Sequence, residues 1–257
     1  MLILKRKALK IKSILVTQPE PSSIKSPYSE LAESTSVKID FRPFIQVEGV
    51  PAKEFRQTRT HLEDYSAVIF NSRTAIDHFF RIAQELRVTI PDTLKYFCIS
   101  ESTAFYLQKY IVYRKRKIFH ANGAMPDLMD IMKKHKDERY LVPLSDLHSQ
   151  EIPRLLEKGG FKYTTAILYR TVCSDLHDLK DVNYDILVFF SPTGIKSLMQ
   201  NFPDFKQNDT KIACFGSTTA QAVREAGLVA DIEAPTPEAP SMTMALEQYI
   251  KNINKSK

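Results

Sequence analysis

One strand–turn–helix pattern occurs twice in this chain of 257 residues, first in its middle and again near its end. Val68–Ile76 contains an apolar run, a turn with serine and threonine, and a helix-like start, and Leu187–Ile195 repeats it so that Ser72 recurs as Ser191. Lys95–Ala104 recurs in the same way as Lys211–Ala220. Two copies of such a unit predict two similar α/β domains.

Eleven short, mostly apolar runs have the composition of strands, and most of them precede a helix-like stretch. A helix is predicted over 22–32, and another ends at the pair Gly159 and Gly160, since glycine adopts the left-handed cap conformation without strain. Alternating strands and helices indicate parallel sheets that are covered by helices on both faces. The predicted strands are 13–17, 37–41, 45–47, 67–70, 96–99, 117–119, 140–143, 164–172, 185–190, 211–215 and 229–232.

Composition limits the classes of protein to which the chain can belong. No apolar stretch approaches the roughly 20 residues that cross a bilayer. The basic segment Met1–Lys7 is not followed by the apolar region of a signal peptide. We therefore expect a soluble, cytoplasmic protein without a membrane partner. Cys98, Cys173 and Cys214 are odd in number and widely spaced, which predicts free thiols.

The net charge of +6 favours an anionic partner. The densest basic run, Arg114–Lys117, precedes a predicted strand, where exposed cations discourage pairing with other chains. No nucleic-acid-binding motif accompanies this run. An anionic small molecule is therefore favoured, and we expect no nucleic-acid partner.

The sequence lacks the motifs of common cofactor sites. Its seven glycines form neither a dinucleotide-binding fingerprint nor a phosphate-binding loop. Its six histidines have no metal-ligand spacing and accompany no nucleophile elbow, so we interpret them as surface or packing residues. The sequence thus predicts no cofactor and no metal. If the chain is an enzyme, it acts mainly by binding and shaping its substrate.

Serines and threonines concentrate in the turns after four of the predicted strands. In a parallel sheet these turns lie at the carboxyl edge, where helix N-termini present free N–H groups. Such groups bind carboxylates, although each hydroxyl taken singly also fits a plain N-cap. The candidate binding residues are Ser72, Thr74, Ser102, Thr103, Ser191, Thr193, Gly216, Ser217, Thr218 and Thr219.

Four segments of the chain form a pattern of order and spacing, and they are Ile14–Glu20, Leu168–Thr171, Phe190–Gly194 and Gly216–Ala220. Together they resemble the uroporphyrinogen-III synthase family. The resemblance extends from about Lys12 to Ile250. The chain departs from the family pattern at Gln18, where arginine is common, and at Pro143–Asp146, where a turn with glycine is common. These departures concern substrate contacts more than the fold.

The resemblance implies a layout with two doubly wound, flavodoxin-like parallel-sheet domains joined by two strands. One domain would be discontinuous, comprising 1–43 and 173–257, and the other would be inserted at 47–168. The linkers would lie near 41–47 and 168–172, and the substrate would bind in the cleft between the domains. We expect a monomer.

The resemblance also implies a lyase that cyclises the linear tetrapyrrole hydroxymethylbilane. Water is lost and ring D is inverted through a spiro intermediate, a step of haem biosynthesis that needs no cofactor because a pyrrole nitrogen expels the hydroxyl. Tyr169 matches the tyrosine that the family uses to help this hydroxyl leave, and a phenol can donate a proton at neutral pH. The alternative interpretation is a tyrosine that packs on the linker strand with its hydroxyl at the surface.

Two other functions fit the same residues. A sugar-phosphate isomerase or regulatory module also has hydroxyl-bearing turns at helix N-termini and would bind phosphosugars. A two-domain protein without enzyme activity could bind a small anion, because a cleft alone does not imply catalysis.

Overall fold

The computed structural model describes residues 10–23, 25–179 and 183–255, and the basic segment Met1–Lys7 lies outside these ranges. The described chain is a mixed α/β protein with parallel sheets, as the sequence predicts. It divides into two compact units. Unit 1 contains the chain up to Gln46 together with the chain from Val172 onward, and unit 2 contains Val47–Thr171.

The described residues form eleven strands and nine α-helices. In chain order these are β1 (Ser13–Val16), α1 (Pro27–Thr35), β2 (Lys38–Phe41), β3 (Ile45–Gly49), α2 (Ala52–Phe55), β4 (Ala67–Phe70), α3 (Arg73–Leu86), β5 (Lys95–Cys98), α4 (Glu101–Tyr106), β6 (Ile118–His120), α5 (Met125–Met132), β7 (Arg139–Ser145), α6 (Glu151–Lys158), β8 (Lys162–Cys173), β9 (Ile186–Phe189), α7 (Pro192–Asn201), β10 (Lys211–Phe215), α8 (Ser217–Glu225), β11 (Ile232–Ala234) and α9 (Met242–Lys255).

The sheet of unit 1 has the order β11–β10–β9–β1–β2, and its paired strands are parallel. Successive residues of a strand point to opposite faces, so β1 contributes to two separate cores. Ile14 and Val16 pack with Leu246 in one core, and Leu15 packs with Leu198 in the other. Because the sheet is buried on both faces, its strands appear in the sequence as continuous apolar runs.

The sheet of unit 2 has the order β3–β8–β7–β4–β5–β6. The pairs β8–β7, β7–β4, β4–β5 and β5–β6 are parallel. Phe70 of β4 packs against Phe79 of α3 on one face, and Ile69 packs in the core that contains Leu128 of α5 on the other. The edge strand β6 follows the exposed residues 114–116 of the basic run.

Two element predictions from the sequence are wrong in their bounds. Helix α1 begins at Pro27 and not near residue 22, because Ser26 accepts a hydrogen bond from the Ser29 N–H and caps the helix there. Strand β11 begins at Ile232 and not at Val229. The Val229 N–H and carbonyl are both bound by the side-chain amide of Gln207, at 2.8 and 2.9 Å, so they do not join the sheet.

Other predictions hold. Helix α6 ends before Gly160, whose φ of +68° is the left-handed conformation that glycine favours. Cys98, Cys173 and Cys214 are free thiols, the first and last of them buried. Among the described residues, no helix is long and apolar enough to cross a membrane.

Candidate functional site

The turn between β4 and α3 of unit 2 is built around Ser72. Its backbone is extended, and its Oγ accepts a hydrogen bond from the Ala75 N–H at 3.1 Å. This serine satisfies one of the N–H groups that a helix start leaves without an intrahelical partner. Thr74, in the first turn of α3, is half-buried. The predicted hydroxyl-bearing turn is therefore present, with Ser72 as the N-cap.

The turn between β5 and α4 places the cap two positions before Ser102, the first residue of the predicted pair. Ser100 accepts a hydrogen bond from the Thr103 N–H at 3.3 Å and is the N-cap of α4. Ser102 lies inside the helix and is exposed, with its Oγ 3.1 Å from the Ser100 Oγ. Thr103 is 5% exposed, and its Oγ1 lies 3.0 Å from the same oxygen. Ser100 was missed, although the repeat aligns it with Gly216.

The corresponding turns of unit 1 differ from each other. Ser191 caps α7 by accepting a hydrogen bond from the Gly194 N–H at 3.2 Å, and Thr193 is half-buried. Gly216, the N-cap residue of α8, has φ +88° and offers no side chain to cap the helix. Ser217 starts α8 directly after it. The N-terminal N–H groups of α8 therefore lack the serine cap that α3, α4 and α7 have.

The three residues that start α8 differ in exposure. Ser217 and Thr218 are exposed, whereas Thr219 is 1% exposed. A buried threonine hydroxyl cannot reach a ligand in solution, and the Thr103 N–H is already bound to the Ser100 Oγ. Strands β9 and β10 are hydrogen-bonded neighbours, as are β4 and β5, so the two turns of each unit lie at adjacent strand ends.

Tyr169 lies in β8 and belongs to unit 2. It is 8% exposed, and its hydroxyl is 3.5 Å from the Ser72 Oγ. Its ring stacks on the imidazole of His78, with centroids 5.0 Å apart and planes at 16°. Two of the predicted site residues, Tyr169 and Ser72, are thus brought together, and a histidine interpreted from sequence as a surface or packing residue lies against one of them.

The backbone of β8 is held on both sides of Tyr169. Arg81 Nη2 donates a hydrogen bond to the Leu168 carbonyl at 3.1 Å. The Asp146 N–H donates to the Tyr169 carbonyl at 3.1 Å, and Asp146 Oδ1 accepts from the Thr171 N–H at 3.0 Å. These contacts join β7 and α3 to the strand that carries the phenol. The i,i+3 spacing of His78 and Arg81 is the sequence signal that predicts a shared helix face.

Asp146 ends the segment that departs from the family pattern. Burial acts to raise the pKa of its carboxyl group, but hydrogen bonds from the Thr171 N–H, the Ser145 hydroxyl and the Leu147 N–H outweigh it, so the pKa is lowered. The carboxylate is therefore ionised at neutral pH and accepts all three hydrogen bonds. A glycine at this position has no side chain for this role, so Asp146 gives the turn a different attachment to β8.

The environment of His78 keeps its imidazole neutral. Burial, and then the positive charge of Arg81, lower the pKa of His78, although Asp77 and Glu85 act in the opposite direction. Arg81 Nε donates a hydrogen bond to His78 Nδ1 at 3.1 Å. Because a guanidinium can only donate, Nδ1 is the acceptor and the ring proton is on Nε2.

Among the described residues, no group of three or more histidines, cysteines, aspartates or glutamates is placed to hold a metal ion. The arrangement in unit 2 offers instead a phenol whose ring and backbone are fixed, beside the N-terminus of α3. Such a phenol can donate a hydrogen bond or a proton to a departing group. The N–H groups at these turns can donate hydrogen bonds to anionic groups.

Comparison with known proteins gives a consistent result. The sequence model described as uroporphyrinogen-III synthase HemD matches residues 26–244. The uroporphyrinogen-III synthase of Chlorobaculum parvum (strain DSM 263 / NCIMB 8327) is 23% identical over 257 residues, covering 94% of this chain and 100% of that protein. The Saccharomyces cerevisiae (strain ATCC 204508 / S288c) protein of the same name is 26% identical over 143 residues, 50% of this chain and 52% of that protein.

A solved structure shares the fold. The crystal structure of uroporphyrinogen-III synthetase from Helicobacter pylori 26695 superposes with a TM-score of 0.57 at 17% identity, and the match covers 94% of this chain and 100% of that one.

Proposed function

This chain belongs to the uroporphyrinogen-III synthase family, and on that premise we propose that it is a lyase that cyclises hydroxymethylbilane to uroporphyrinogen III. The observation that carries the proposal is the family match over residues 26–244. The position of Tyr169 beside Ser72 supports it, because it places a phenol at the helix start where the resemblance puts the reaction.

The proposed reaction needs no electron acceptor. The terminal hydroxymethyl group loses its hydroxyl, which leaves as water, and the pyrrole nitrogen of the same ring supplies the electron pair. The resulting azafulvene carbon is attacked first by the ring D carbon that already bears the chain, which forms the spiro intermediate. The original bond between that ring D carbon and the methylene group of ring C then breaks, which leaves an azafulvene on ring C. This methylene carbon bonds to the other free carbon of ring D, so the macrocycle closes with ring D inverted, and the newly bonded carbon loses its proton.

We assign the departure of the hydroxyl to Tyr169. Its phenol donates a hydrogen bond or a proton to the leaving oxygen, which otherwise departs as hydroxide. The remainder of the catalysis is positioning, because the linear chain must be folded so that ring D is attacked at the substituted carbon. A fixed phenol suits both tasks.

The carboxylates of the substrate are assigned to the turns. Ser72, Thr74, Ser191 and Thr193 offer hydroxyl and main-chain donors, and Ser102 is exposed for the same purpose. The remaining candidates, listed below, are assigned as parts of the first turns of α4 and α8, because the buried threonines cannot present their hydroxyls and the start of α8 lacks a side-chain cap. These residues are Thr103, Gly216, Ser217, Thr218 and Thr219. The N–H groups of Thr103 and Gly216 themselves donate to the Ser100 Oγ and to the Ala234 carbonyl.

We propose further that both units are doubly wound, flavodoxin-like domains. The order β2–β1–β9–β10–β11 corresponds to the 2-1-3-4-5 order of flavodoxin-like sheets. In unit 2, β8–β7–β4–β5–β6 has the same pattern, with β7 and β8 as its first two members. The domain bounds 1–43 with 173–257 and 47–168, and the linkers 41–47 and 168–172, stay predictions. A cytoplasmic monomer without nucleic-acid or membrane partners also stays a prediction.

The product isomer tests the proposed activity. Freshly generated hydroxymethylbilane is incubated with the protein, the products are oxidised, and the type I and type III uroporphyrins are separated by chromatography. Spontaneous closure gives type I, so a sample without protein is the control. Dominant type III product is expected, and type I alone from a folded protein would contradict the proposal.

The alternative is an anionic small-molecule or phosphosugar-binding protein without this activity. Thermal shift separates the two ligand classes. We expect carboxylate-rich tetrapyrroles to raise the melting temperature and a panel of phosphosugars to leave it unchanged. The reverse pattern would favour the alternative.

A further inference from the structure

Arg81 connects α3 to the two chain segments that flank the proposed reaction group. Its Nη2 donates hydrogen bonds to the Val50 carbonyl at 2.9 Å and to the Leu168 carbonyl at 3.1 Å, and its Nη1 contacts Glu85 Oε1 at 2.6 Å. The Val50 N–H in turn donates to the Leu168 carbonyl at 2.9 Å. The guanidinium is therefore fixed at the peptide that immediately precedes Tyr169.

The glycine at position 49 makes room for this guanidinium. A Cβ atom at Gly49 would lie 2.5 Å from Arg81 Cζ and 2.6 Å from Arg81 Nε. Such distances are shorter than carbon atoms tolerate, so any other residue at position 49 would displace the end of the Arg81 side chain. The observed position of the Arg81 guanidinium therefore requires that residue 49 has no side chain.

His78 completes the arrangement by supporting the phenol ring itself. Arg81 Nε donates to His78 Nδ1, which fixes the orientation of the imidazole, and the imidazole stacks on the ring of Tyr169. Ser72, at the start of the same helix, lies near the phenol oxygen. Helix α3 therefore contacts Tyr169 at its ring, at its hydroxyl and, through Arg81, at its backbone.

We propose that His78 and Arg81 are positioning residues for Tyr169, with Arg81 orienting His78 and both together fixing the phenol for the departure of the substrate hydroxyl. This inference rests on the proposed function, because it assigns the two residues to that reaction. Neither residue is required to touch the substrate. Gly49 belongs to the same arrangement, because the absence of a side chain there leaves room for the guanidinium of Arg81.

Kinetics of His78 variants test the proposal. We expect His78→Ala to lower kcat for type III formation about tenfold, with KM changed less than about twofold, because a small misplacement of a reacting group lowers the rate more than binding. His78→Phe restores a stacking ring but not the Nδ1 acceptor through which Arg81 orients it, so it should recover the kcat only in part. In a Tyr169→Phe background, His78→Ala should change kcat less than about twofold, since the group that it positions is absent.

Gly49→Ala is a second variant that leaves both positioning residues in the chain. It should lower kcat by displacing the guanidinium, and in an Arg81→Met background it should have no further effect. Thermal unfolding checks that each variant is folded. Equal losses from His78→Ala in the presence and absence of the Tyr169 hydroxyl, or a wild-type kcat in both His78→Ala and Gly49→Ala, would overturn the proposal.

Nuclear magnetic resonance of protein with labelled tyrosine rings gives a readout that does not depend on turnover. The Tyr169 resonances are assigned by their loss in Tyr169→Phe. We expect them to shift in both His78→Ala and Gly49→Ala, because a stacked ring is lost or reoriented. Unshifted resonances would overturn the positioning itself. Shifted resonances in a protein that forms only type I product would contradict the proposed reaction and leave the fixed phenol established.

Discussion

Helices α3 and α7 begin at equivalent turns, but their later side chains contact different parts of the protein. Ser72 and Ser191 cap their helices in the same way. In α3 the side chains that follow are His78 and Arg81, which contact Tyr169 and the peptide before it. In α7, Asn201 instead binds the main chain near residues 174 and 176.

This difference shows how one copy of a repeated fold can support a reactive side chain while the other copy does not. The repeat supplies a strand, a turn and a capped helix start in each unit. The residues about two to three helical turns after the cap decide whether the helix fixes a reactive side chain or only a loop. We therefore place the reaction chemistry in unit 2 and assign carboxylate binding to the turns of both units.

The starts of helices α4 and α8 are a second pair of equivalent positions in the two units. A substitution at the start of α8 is expected to have the largest effect on stability. Gly216→Val should lower the free energy of unfolding by about 1–3 kcal/mol, because valine is strained at φ +88°. Ser100→Ala, at the matching position of unit 2, should cost about 1 kcal/mol through loss of the cap. Urea unfolding measures both values. A Gly216→Val variant as stable as wild type would contradict the assignment of strain to this turn.

The caps of α3 and α7 give a matched test of the first comparison. Ser72→Ala and Ser191→Ala should each lower stability by about 1 kcal/mol, because each removes one capping hydrogen bond. Ser72→Ala alone should also lower kcat, by about fivefold, the equivalent of one hydrogen bond of about 1 kcal/mol to the phenol. Equal effects of the two variants on kcat would remove the distinction between the units.

The pH dependence of stability reports the environment of His78. Its pKa is lowered in the folded chain, so the unfolded chain takes up a proton at higher pH. The free energy of unfolding should therefore fall as the pH decreases from about 6.5 toward the folded pKa. Urea unfolding at pH 7.5 and 5.5 should show a smaller decrease in His78→Phe than in wild type. The pKa of His135 is also lowered by burial and by Lys95, so His135 still contributes to the decrease in the free energy of unfolding in His78→Phe.

The smallest effects are expected at the buried threonines. Thr103→Ala and Thr219→Ala should leave kcat/KM within about twofold of wild type, because the side-chain hydroxyls of these two residues are buried and cannot reach a ligand. Steady-state kinetics of type III formation measures this. A loss above about tenfold, in a variant with unchanged stability, would assign a direct role to the hydroxyl.

Local patterns predicted the scaffold well and the surroundings of Tyr169 poorly. Apolar runs located the strands because each sheet is buried on both faces. Strand β11 was misplaced because the partner of Val229 is the side chain of Gln207, a contact that no strand pattern encodes. The same limit applies to Arg81, whose contacts with Val50 and Leu168 join residues far apart in the sequence.

Family resemblance selected Tyr169, but no motif in the sequence identifies the side chains that support it. His78 has no metal-ligand or catalytic-triad spacing, and its role follows from the packing of α3 against β8. Gly49 is likewise ordinary in the sequence and becomes informative only when the guanidinium of Arg81 lies beside it. Side chains that act through other residues are recognised from contacts rather than motifs.

The most direct test of the account compares type III formation by wild type, Tyr169→Phe and Tyr163→Phe at equal protein concentration. Tyr163 is the matched control, because it lies in the same strand and loses the same atom. We expect wild type and Tyr163→Phe to form type III at similar rates. Tyr169→Phe should be about 100-fold slower, so that spontaneous type I dominates. Equal rates in all three folded proteins would contradict the assignment of the reaction to Tyr169.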